Sequence, residues 1–511
     1  MELKTDTQTG LSIAVVGIFY VAALQVPLSL GITPDVSWLL TVAERMLSGE
    51  TLYRDILEYN PPFSVWIYTG PAALSFFTGL SSETLLLFQF SALFFLSFAA
   101  CLVIGAHAGL LPKGAAAPLL ALWVAVFVLL PNYTFLQREH FAIVAFTPWL
   151  VLQAARWHIG PAFRLSVWMV VLGGLSCAVM VMTKPYYLPT VLLPVAGLML
   201  KTRSLRPPFH PENLLGAAVA AAYGLAVLTL YPDYLEFLYP ILDVVYLPVR
   251  TPDATMFFLI CGGVLLLAVA LAARPRDWSP LAITAALAAS GHLAGIVAMG
   301  KAFTYHALPA LCLLVLAFAA QLAARCFPEP RPSATGTLAL TRISVSIVLV
   351  GTVIWLVSDV YRRGEFVDPV LANHLKANHA GQTFVSVSPS FADSHPLVRI
   401  AGGRYVGPHG AMLATDYGMQ VLWQNPDMDT RAVRREIERE RAIYAAAILS
   451  RQPGIILVSD RADRPGDSAW ETIAQAQSGG RTIGQLYVVD ARFDGMTVLR
   501  RRKGVSGSFA Q

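Results

Sequence analysis

Residues 254–273 read ATMFFLICGGVLLLAVALAA, twenty residues without a charged side chain, and this stretch decides the fold class. A helix of about 20 apolar residues is long enough to cross the hydrocarbon core of a bilayer. The whole chain has the same character, because 56% of its 511 residues are hydrophobic and 14% are charged, whereas a soluble protein has about 25% charged residues. The sequence therefore predicts a polytopic α-helical membrane protein.

The number of spans follows from segment length and apolar content. The segment 63–80 is also apolar, but it carries Gly70-Pro71 at its centre, and we place it at the membrane surface. This leaves about eleven predicted transmembrane helices, at about 11–30, 84–106, 115–132, 140–155, 165–183, 187–200, 213–231, 254–273, 279–299, 307–325 and 339–357.

The distribution of basic residues predicts the orientation. With 63–80 at the surface, eleven basic residues lie in inner loops and six in outer loops, in keeping with the excess of Lys and Arg in cytoplasmic loops. The loop 31–83 and the tail 358–511 are then both outside. If 63–80 crosses the membrane, every later loop changes side and the count opposes the rule.

The net charge of +5 is small for this length and gives no reason to expect a nucleic-acid partner. The five cysteines lie in or beside apolar segments and show no metal-ligand spacing, so neither a disulfide framework nor a cysteine metal site is expected.

The tail has the pattern of a soluble α/β domain. Strands interleaved with helices are typical of this class. The predicted elements are a polar amphipathic helix from about Thr430 to Ser450 and short β-rich runs at Thr383–Val387, Gly454–Val458, Tyr487–Val489 and Met496–Leu499. We therefore divide the chain into a transmembrane module, 1–357, which includes the outer loop 31–83, and an outer α/β domain, 358–511.

Polar residues beside apolar spans gather in four outer segments. Ionisable groups next to the bilayer are costly, so they indicate a functional site. Carboxylates together with several cations suit a reaction in which one acid removes a proton while cations hold an anionic leaving group. The segments TPDVSW, NYTFLQREH, MTKPYYLP and MGKAFTYHALP contribute Asp35, Arg138, Glu139, His140, Lys184, Tyr186, Tyr187, Lys301, Tyr305 and His306.

Each of these residues also has a purely structural explanation. Asp35 is a favoured N-cap for a helix from Val36 to Ser48. The Arg-Glu pair fits a solvated ion pair, and the lysines fit side chains that snorkel to headgroups. The tyrosines fit an interfacial aromatic belt, while the histidines fit hydrogen-bonded loop residues, because no HxxxH or HExxH spacing supports a metal. Their position on one face favours the functional interpretation.

The pattern resembles the polyprenyl-phosphate-dependent glycosyltransferases of the GT-C class, such as the lipid A aminoarabinose transferases and the protein O-mannosyltransferases. The likeness covers the first 200 residues or so in its motifs and the rest in layout. Val36 stands where many members have a second acid, and Arg138-Glu139 stands where an Arg-Pro-Asp type sequence is common. The matching features are PDVSW (34–38), GETLYRDILEYNPP (49–62), QREH (137–140), TKP (183–185) and an outer C-terminal domain.

The resemblance implies a GT-C-like fold and a role for each residue. Asp35 is expected to be the catalytic base that activates the acceptor hydroxyl, and Glu139 a second catalytic carboxylate that positions the acceptor or a metal. No cofactor is implied with certainty, and a divalent metal ion is left open. The groups expected to bind the donor phosphate are Arg138, Lys184, Lys301, Tyr305 and His306, and further candidates are Asp55, Glu58, His140, Tyr186 and Tyr187.

These observations predict a multi-pass glycosyltransferase of the bacterial inner membrane, transferring a hexosyl or pentosyl group. It would move the sugar from a polyprenyl-phosphate donor to a periplasmic or lipid-linked glycan acceptor, with inversion. The active site and the C-terminal domain are expected on the periplasmic side, and membrane lipids are the other partners. The alternative is a transporter or flippase of a lipid-linked saccharide, but such proteins usually contain paired inverted repeats, and the sequence shows no matching halves.

Overall fold

A computed structural model describes residues 2–111, 115–273, 278–326, 337–362, 367–426, 429–460, 469–478 and 480–502. The chain forms two compact units, each assembled from separate stretches of sequence. The first unit consists of Met1–Gly31, Leu86–Ala226 and Arg250–Gly364, and the second of Ile32–Leu85, Val227–Val249 and Glu365–Gln511.

The first unit is helical, and every one of the eleven predicted apolar segments forms a helix. Within the described ranges, at least six helices are long and apolar enough to cross a membrane. The polytopic helical fold is therefore confirmed, while the count of eleven crossings stays a prediction. The helices are Glu2–Ser29, Ser82–His107, Ala116–Val124 with its π-helical continuation Ala125–Leu129, Arg138–Ile159, Val167–Thr183, Leu188–Thr202, Pro211–Leu230, Pro252–Ala272, Pro280–Met299, Thr304–Cys326 and Thr337–Arg362, with 3-10 turns at Asn132–Thr134, Gly160–Ala162, Pro185–Tyr187 and Pro207–Phe209.

Two glycines allow a close contact between helices of this unit. A Cβ atom on Gly291 would lie 2.0 Å from the carbonyl oxygen of Pro189, and one on Gly295 would lie 2.3 Å from the carbonyl oxygen of Tyr186. The helix Pro280–Met299 therefore meets the 186–190 backbone without intervening side chains, as small residues allow at helix interfaces in membranes. The contacted backbone follows Lys184 in the sequence.

The second unit combines helices with a five-stranded mixed sheet and a separate two-stranded sheet, β4-β5. Its strands are β1 (Thr383–Val387), β2 (Arg404–Tyr405), β3 (Ile455–Ser459), β4 (Gln477–Ser478), β5 (Arg481–Thr482), β6 (Tyr487–Phe493) and β7 (Met496–Arg501). Its helical segments are Pro34–Leu47, Phe63–Thr78, Tyr234–Leu238, Tyr239–Ile241, Leu242–Tyr246, Pro369–His379, Phe391–Asp393, Leu397–Ile400, Leu413–Gln424, Arg431–Arg451, Ala469–Ala474 and Ile483–Leu486.

The five-stranded sheet has the order β2-β1-β3-β7-β6. Strand β1 is parallel to β2 and β3, whereas β7 is antiparallel to both β3 and β6. Residues from β1, β3 and β7 form an apolar core with Tyr444 and Ile448 of the helix Arg431–Arg451. The α/β character predicted for the tail is confirmed, including its four predicted β-rich runs and its long polar helix.

The segment predicted to lie at the membrane surface forms one helix, Phe63–Thr78. Pro71 lies inside it, and the helix ends at Gly79, whose φ of 70° is the left-handed conformation that glycine adopts readily. At 16 residues the helix is shorter than a typical span of about 20. Its placement at the surface stays a prediction.

Candidate active site

The first unit holds a cluster of polar side chains, all but one of them buried, where several of its helices begin or end. We call it the cationic cluster. Two of its members open the helix Arg138–Ile159, and the other four come from the segments 184–187 and 301–306. Its members are Arg138, Glu139, Lys184, Lys301, Tyr305 and His306.

The position of Lys184 follows from the proline after it. A residue before proline avoids the helical conformation, and Lys184 is extended, with φ −153° and ψ 122°, so the helix Val167–Thr183 ends at the preceding residue. The side chain is 8% exposed. The expectation that this lysine snorkels to headgroups is therefore wrong, because it lies inside the protein.

Lys184 is the centre of the cluster. Its Nζ lies 2.8 Å from Glu139 Oε1 and 2.5 Å from Nε2 of His306, so the ammonium donates to both groups. The Nε of Arg138 donates to the same oxygen of Glu139 at 3.2 Å. Since Arg138 and Glu139 are both buried, they are not the solvated pair that the sequence allowed.

Aromatic rings surround these charges. Lys184 Nζ lies 4.8 Å from the ring centre of Tyr305, and Cζ of Arg138 lies 5.7 Å from the same ring, both within cation–π range. The hydroxyl of Tyr186 lies 3.3 Å from Nε2 of His306. Tyr187 is buried, with its ring centre 4.2 Å from that of His292. Tyr186 and Tyr305 contact side chains of the cluster and Tyr187 is buried beside His292, so an interfacial aromatic belt does not describe them.

Lys301 adds a second lysine to the cluster. It is buried in the connection between two helices, and the preceding Gly300 leaves room for a neighbouring arginine, because a Cβ there would lie 2.5 Å from Cδ of Arg250. Burial, together with the positive charges of Arg250 and Lys184, lowers the pKa of Lys301 to about 7. The site therefore concentrates positive charge in a buried environment, where a charged ammonium group is destabilised.

The chemistry of this arrangement suits a negatively charged ligand. Buried charges are costly unless an opposite charge or hydrogen bonds compensate them. Oε2 of Glu139 has no hydrogen-bond partner among the described residues, so one carboxylate oxygen is also available for a substrate group. A metal ion here would use Glu139 and His306, and it would compete with Lys184 for both.

Three other predicted candidates have structural partners of their own. His140 Nε2 lies 2.8 Å from the carbonyl oxygen of Phe127, and its Nδ1 accepts from the backbone N–H of Leu136. The carboxylate of Glu58 accepts from Trp38 Nε1 and from Asn60. Asp55 accepts from the backbone N–H of Thr51 across a tight turn. His140 therefore has its partners outside the cationic cluster, and Asp55 and Glu58 belong to the second unit.

Asp35, the predicted base, belongs to the second unit, where it lies in the first turn of the helix Pro34–Leu47 and is partly exposed. Its N-capping explanation is wrong as stated. Thr33 is the N-cap residue, and its side chain accepts from the backbone N–H of Val36.

The sequence prediction missed His292. This residue is buried within the helix Pro280–Met299, where its Nε2 lies 2.8 Å from the carbonyl oxygen of His306 and its Nδ1 lies 3.1 Å from Thr190 Oγ1. A histidine inside an otherwise apolar span is a signal that could have identified it.

The sequence matches no protein-family model and no curated protein. In structure the chain is similar to ArnT from Cupriavidus metallidurans in the apo state, with a TM-score of 0.54 and 13% identity over 99% of each chain. It is also similar to ArnT bound to undecaprenyl phosphate, with a TM-score of 0.53 and 13% identity over 97% of this chain and 99% of that one. The arabinofuranosyltransferase AftD from Mycobacteria gives a TM-score of 0.46 and 14% identity, over 96% of this chain and 40% of that one. The likeness to ArnT confirms the GT-C-like fold that the resemblance predicts, and at this identity it shows the fold alone.

Proposed function

We propose that this chain is a glycosyltransferase of the bacterial inner membrane, with a polyprenyl-phosphate sugar as donor and a glycan or lipid as acceptor on the periplasmic side. The observation that carries the proposal is the cationic cluster, where Lys184, Arg138 and Lys301 are buried at the ends of apolar helices. A lipid phosphate is an anion that reaches such a position while its isoprenoid tail stays in the bilayer. The fold supports this donor class, because ArnT, which shares it, binds undecaprenyl phosphate.

The cations have a defined task in this reaction. The acceptor hydroxyl attacks the anomeric carbon, a new C–O bond forms, and the bond to the phosphate oxygen breaks. The electron pair of the broken bond leaves with the polyprenyl phosphate, and fixed cations stabilise the charge that develops there. We assign this role to Lys184 and Arg138, supported by Lys301, with Tyr305 and His306 holding the lysine in place. A single displacement of this kind inverts the anomeric carbon.

Carboxylates supply the other half of the mechanism. We propose Asp35 as the base that takes the proton of the acceptor hydroxyl, and Glu139 as the group that orients the acceptor through its Oε2 atom. Since Thr33 is the N-cap of its helix, capping does not account for an acid at position 35. The helix dipole also favours an acid in the first turn of a helix, typically by about 0.3–1 kcal/mol.

The experiment is a comparison of cell-envelope glycans and lipid-linked sugars by mass spectrometry in cells that lack the gene and in complemented cells. The deletion strain should accumulate a polyprenyl-phosphate sugar and lose one glycan modification, and the wild-type gene should restore the modification. Accumulation of that sugar lipid on the cytoplasmic face of the membrane would instead indicate a flippase. An unchanged pool of lipid-linked sugars would overturn the proposed donor.

Asp35→Asn tests the base within the same experiment. The amide keeps the size of the side chain but cannot take up the proton, so transfer should fall by about 10²- to 10⁴-fold. Asp253→Asn is a closely matched control, because Thr251-Pro252-Asp253 opens another helix with the same three residue types and Asp253 is exposed. If Asp35→Asn restores the modification as well as Asp253→Asn does, Asp35 is not the base.

A further inference from the structure

A second group of ligand side chains lies in the second unit, outside the residues of the proposed reaction. His374 and His379 belong to the helix Pro369–His379, and Asp490 belongs to strand β6. Their ligand atoms all lie within 4.8 Å of one another. We propose that these three residues form a binding site for a divalent transition metal, with Zn²⁺ as the ion that two imidazoles and a carboxylate suit best.

Two of the three separations between ligand atoms fit a zinc coordination shell, and the third is at most 4.8 Å. Nε2 of His379 lies 2.9 Å from Oδ2 of Asp490, and Nε2 of His374 lies 3.4 Å from the same oxygen. Tetrahedral zinc with bonds of about 2.0–2.1 Å places neighbouring ligand atoms about 3.3 Å apart. Both separations are within about 0.5 Å of that value, and the His374 side chain, 25% exposed, has room to adjust its ring. Solvent supplies the fourth ligand.

The backbone at Asp490 is shaped to present its carboxylate. The pairing register between β6 and β7 shifts between Val489 and Ala491, so Asp490 is the extra residue of a β-bulge. Bulges re-aim side chains and occur often at sheet edges, and β6 is an edge strand of this sheet. The bulge therefore accounts for an acid that points toward two histidines of a helix more than a hundred residues earlier in the chain.

Arg500 completes the site from the neighbouring strand. Its Nε donates to Oδ1 of Asp490 at 2.9 Å, while Oδ2 faces the two histidines. Metal-binding carboxylates are usually held by such an outer hydrogen bond. One carboxylate oxygen is thus fixed by an arginine and the other is directed to the ion.

A hydrogen-bonded His–Asp–His network without metal is the competing explanation. In the metal-free form the imidazole N–H groups donate to Asp490. When a metal binds, both Nε2 atoms coordinate it as neutral imidazoles. An imidazole that was neutral then carries its proton on Nδ1, and one that was protonated on both nitrogens releases one proton to solvent. The metal would join the first helix after the last predicted span to the edge strand of the sheet. Its contribution is structural, independent of the proposed transfer reaction.

The test uses the full-length protein in detergent, stripped with a chelator and dialysed against micromolar Zn²⁺ with excess Mg²⁺. Elemental analysis should find about one zinc ion per chain, and Co²⁺ in its place should give the visible absorption of a tetrahedral site. Because His379 is buried, the more exposed ligands provide the safer variants. Loss of a residue that hydrogen-bonds a ligand weakens metal binding by roughly 10- to 100-fold, and we expect a loss of this size for Arg500→Gln. His374→Gln and Asp490→Asn remove a ligand and should weaken zinc binding by more than this.

The matched control is His158→Gln, which removes an exposed histidine from the first unit and should leave the zinc content unchanged. Zinc should also raise the thermal midpoint of the wild type and of this control but not of His374→Gln. The proposal is overturned if the wild type retains no zinc, or if His374→Gln and Asp490→Asn retain it as firmly as His158→Gln does. Either outcome would establish the hydrogen-bonded network instead.

Discussion

Replacing Lys184 with Met tests the cationic cluster most directly, because it removes the charge and keeps the length of the side chain. Lys184 Nζ lies 2.8 Å from Glu139 Oε1, and both side chains are buried. Removing one partner of a buried ion pair costs about 3–5 kcal/mol, since the other charge stays buried. Arg138 remains 3.2 Å from the same oxygen, so we expect a loss near the lower limit, about 3 kcal/mol.

The loss of ligand binding should be separable from the loss of stability. A charge-assisted hydrogen bond contributes about 1.5–3 kcal/mol, which corresponds to a 10- to 150-fold weaker Kd for a lipid phosphate. Glu139→Gln should act in the opposite direction on binding, because it removes a negative charge beside the same cations, although it also destabilises the fold. A purely structural role for the pair predicts that both variants bind the phosphate less well or equally well.

The assay is a binding titration in nanodiscs with undecaprenyl phosphate and, as a matched probe, undecaprenol, at a temperature where each variant is folded. The ratio of the two Kd values isolates the phosphate. Lys201→Met is the control variant, since Lys201 is an exposed lysine at the end of the helix Leu188–Thr202. If Lys184→Met discriminates between the two lipids as strongly as wild type and Lys201→Met do, the phosphate does not bind at this cluster.

Two further predictions concern protons. Burial and the charge of Arg250 lower the pKa of Lys301 to about 7, so binding of a lipid phosphate at pH 8 should be accompanied by uptake of a proton. Calorimetry in two buffers of different ionisation enthalpy measures this uptake, which should be absent in Lys301→Met. Burial raises the pKa of Glu440 from 4.5 to about 7, where its carboxylate accepts from the first N–H groups of the helix Leu413–Gln424. Since the folded pKa is the higher one, the associated stability, up to about 3 kcal/mol, is complete below pH 4.5 and is lost as the pH rises through 7. The thermal midpoint of the wild type should fall between pH 5 and 8, and a Glu440→Gln variant that falls equally would contradict this assignment.

Much of the fold could be predicted because its signals are local. Twenty apolar residues in a row require a helix whatever surrounds them, and short β-rich runs such as Thr383–Val387 matched a strand from end to end. The division into compact units could not be predicted in this way. The loop that follows the first helix and the stretch Val227–Val249 belong with the tail, and such grouping depends on contacts between distant parts of the chain.

The candidate site was predictable in its residue types but not in its pairings. Lys184 and Glu139 were both expected on one face, yet their contact joins two distant segments of the chain, and no local pattern reveals it. Glu58 was predicted as a candidate site residue, but its carboxylate accepts hydrogen bonds from nearby Asn60. The sequence alone does not distinguish such a carboxylate from a catalytic one. The histidines at 374 and 379 were missed because their spacing is five, not four, and Asp490 joins them only in the folded sheet.

Glu139 gives the proposed site a way to remain folded without its donor. Its Oε1 accepts from both Lys184 and Arg138, so the carboxylate occupies the position of an anion between two cations that would otherwise be buried together. When a donor phosphate binds, it supplies a second anion, and the cations no longer depend on Glu139 for compensation. The carboxylate then becomes available to a neutral hydroxyl group. Under the proposed function, one side chain therefore stabilises the empty enzyme and orients the acceptor once the donor is present.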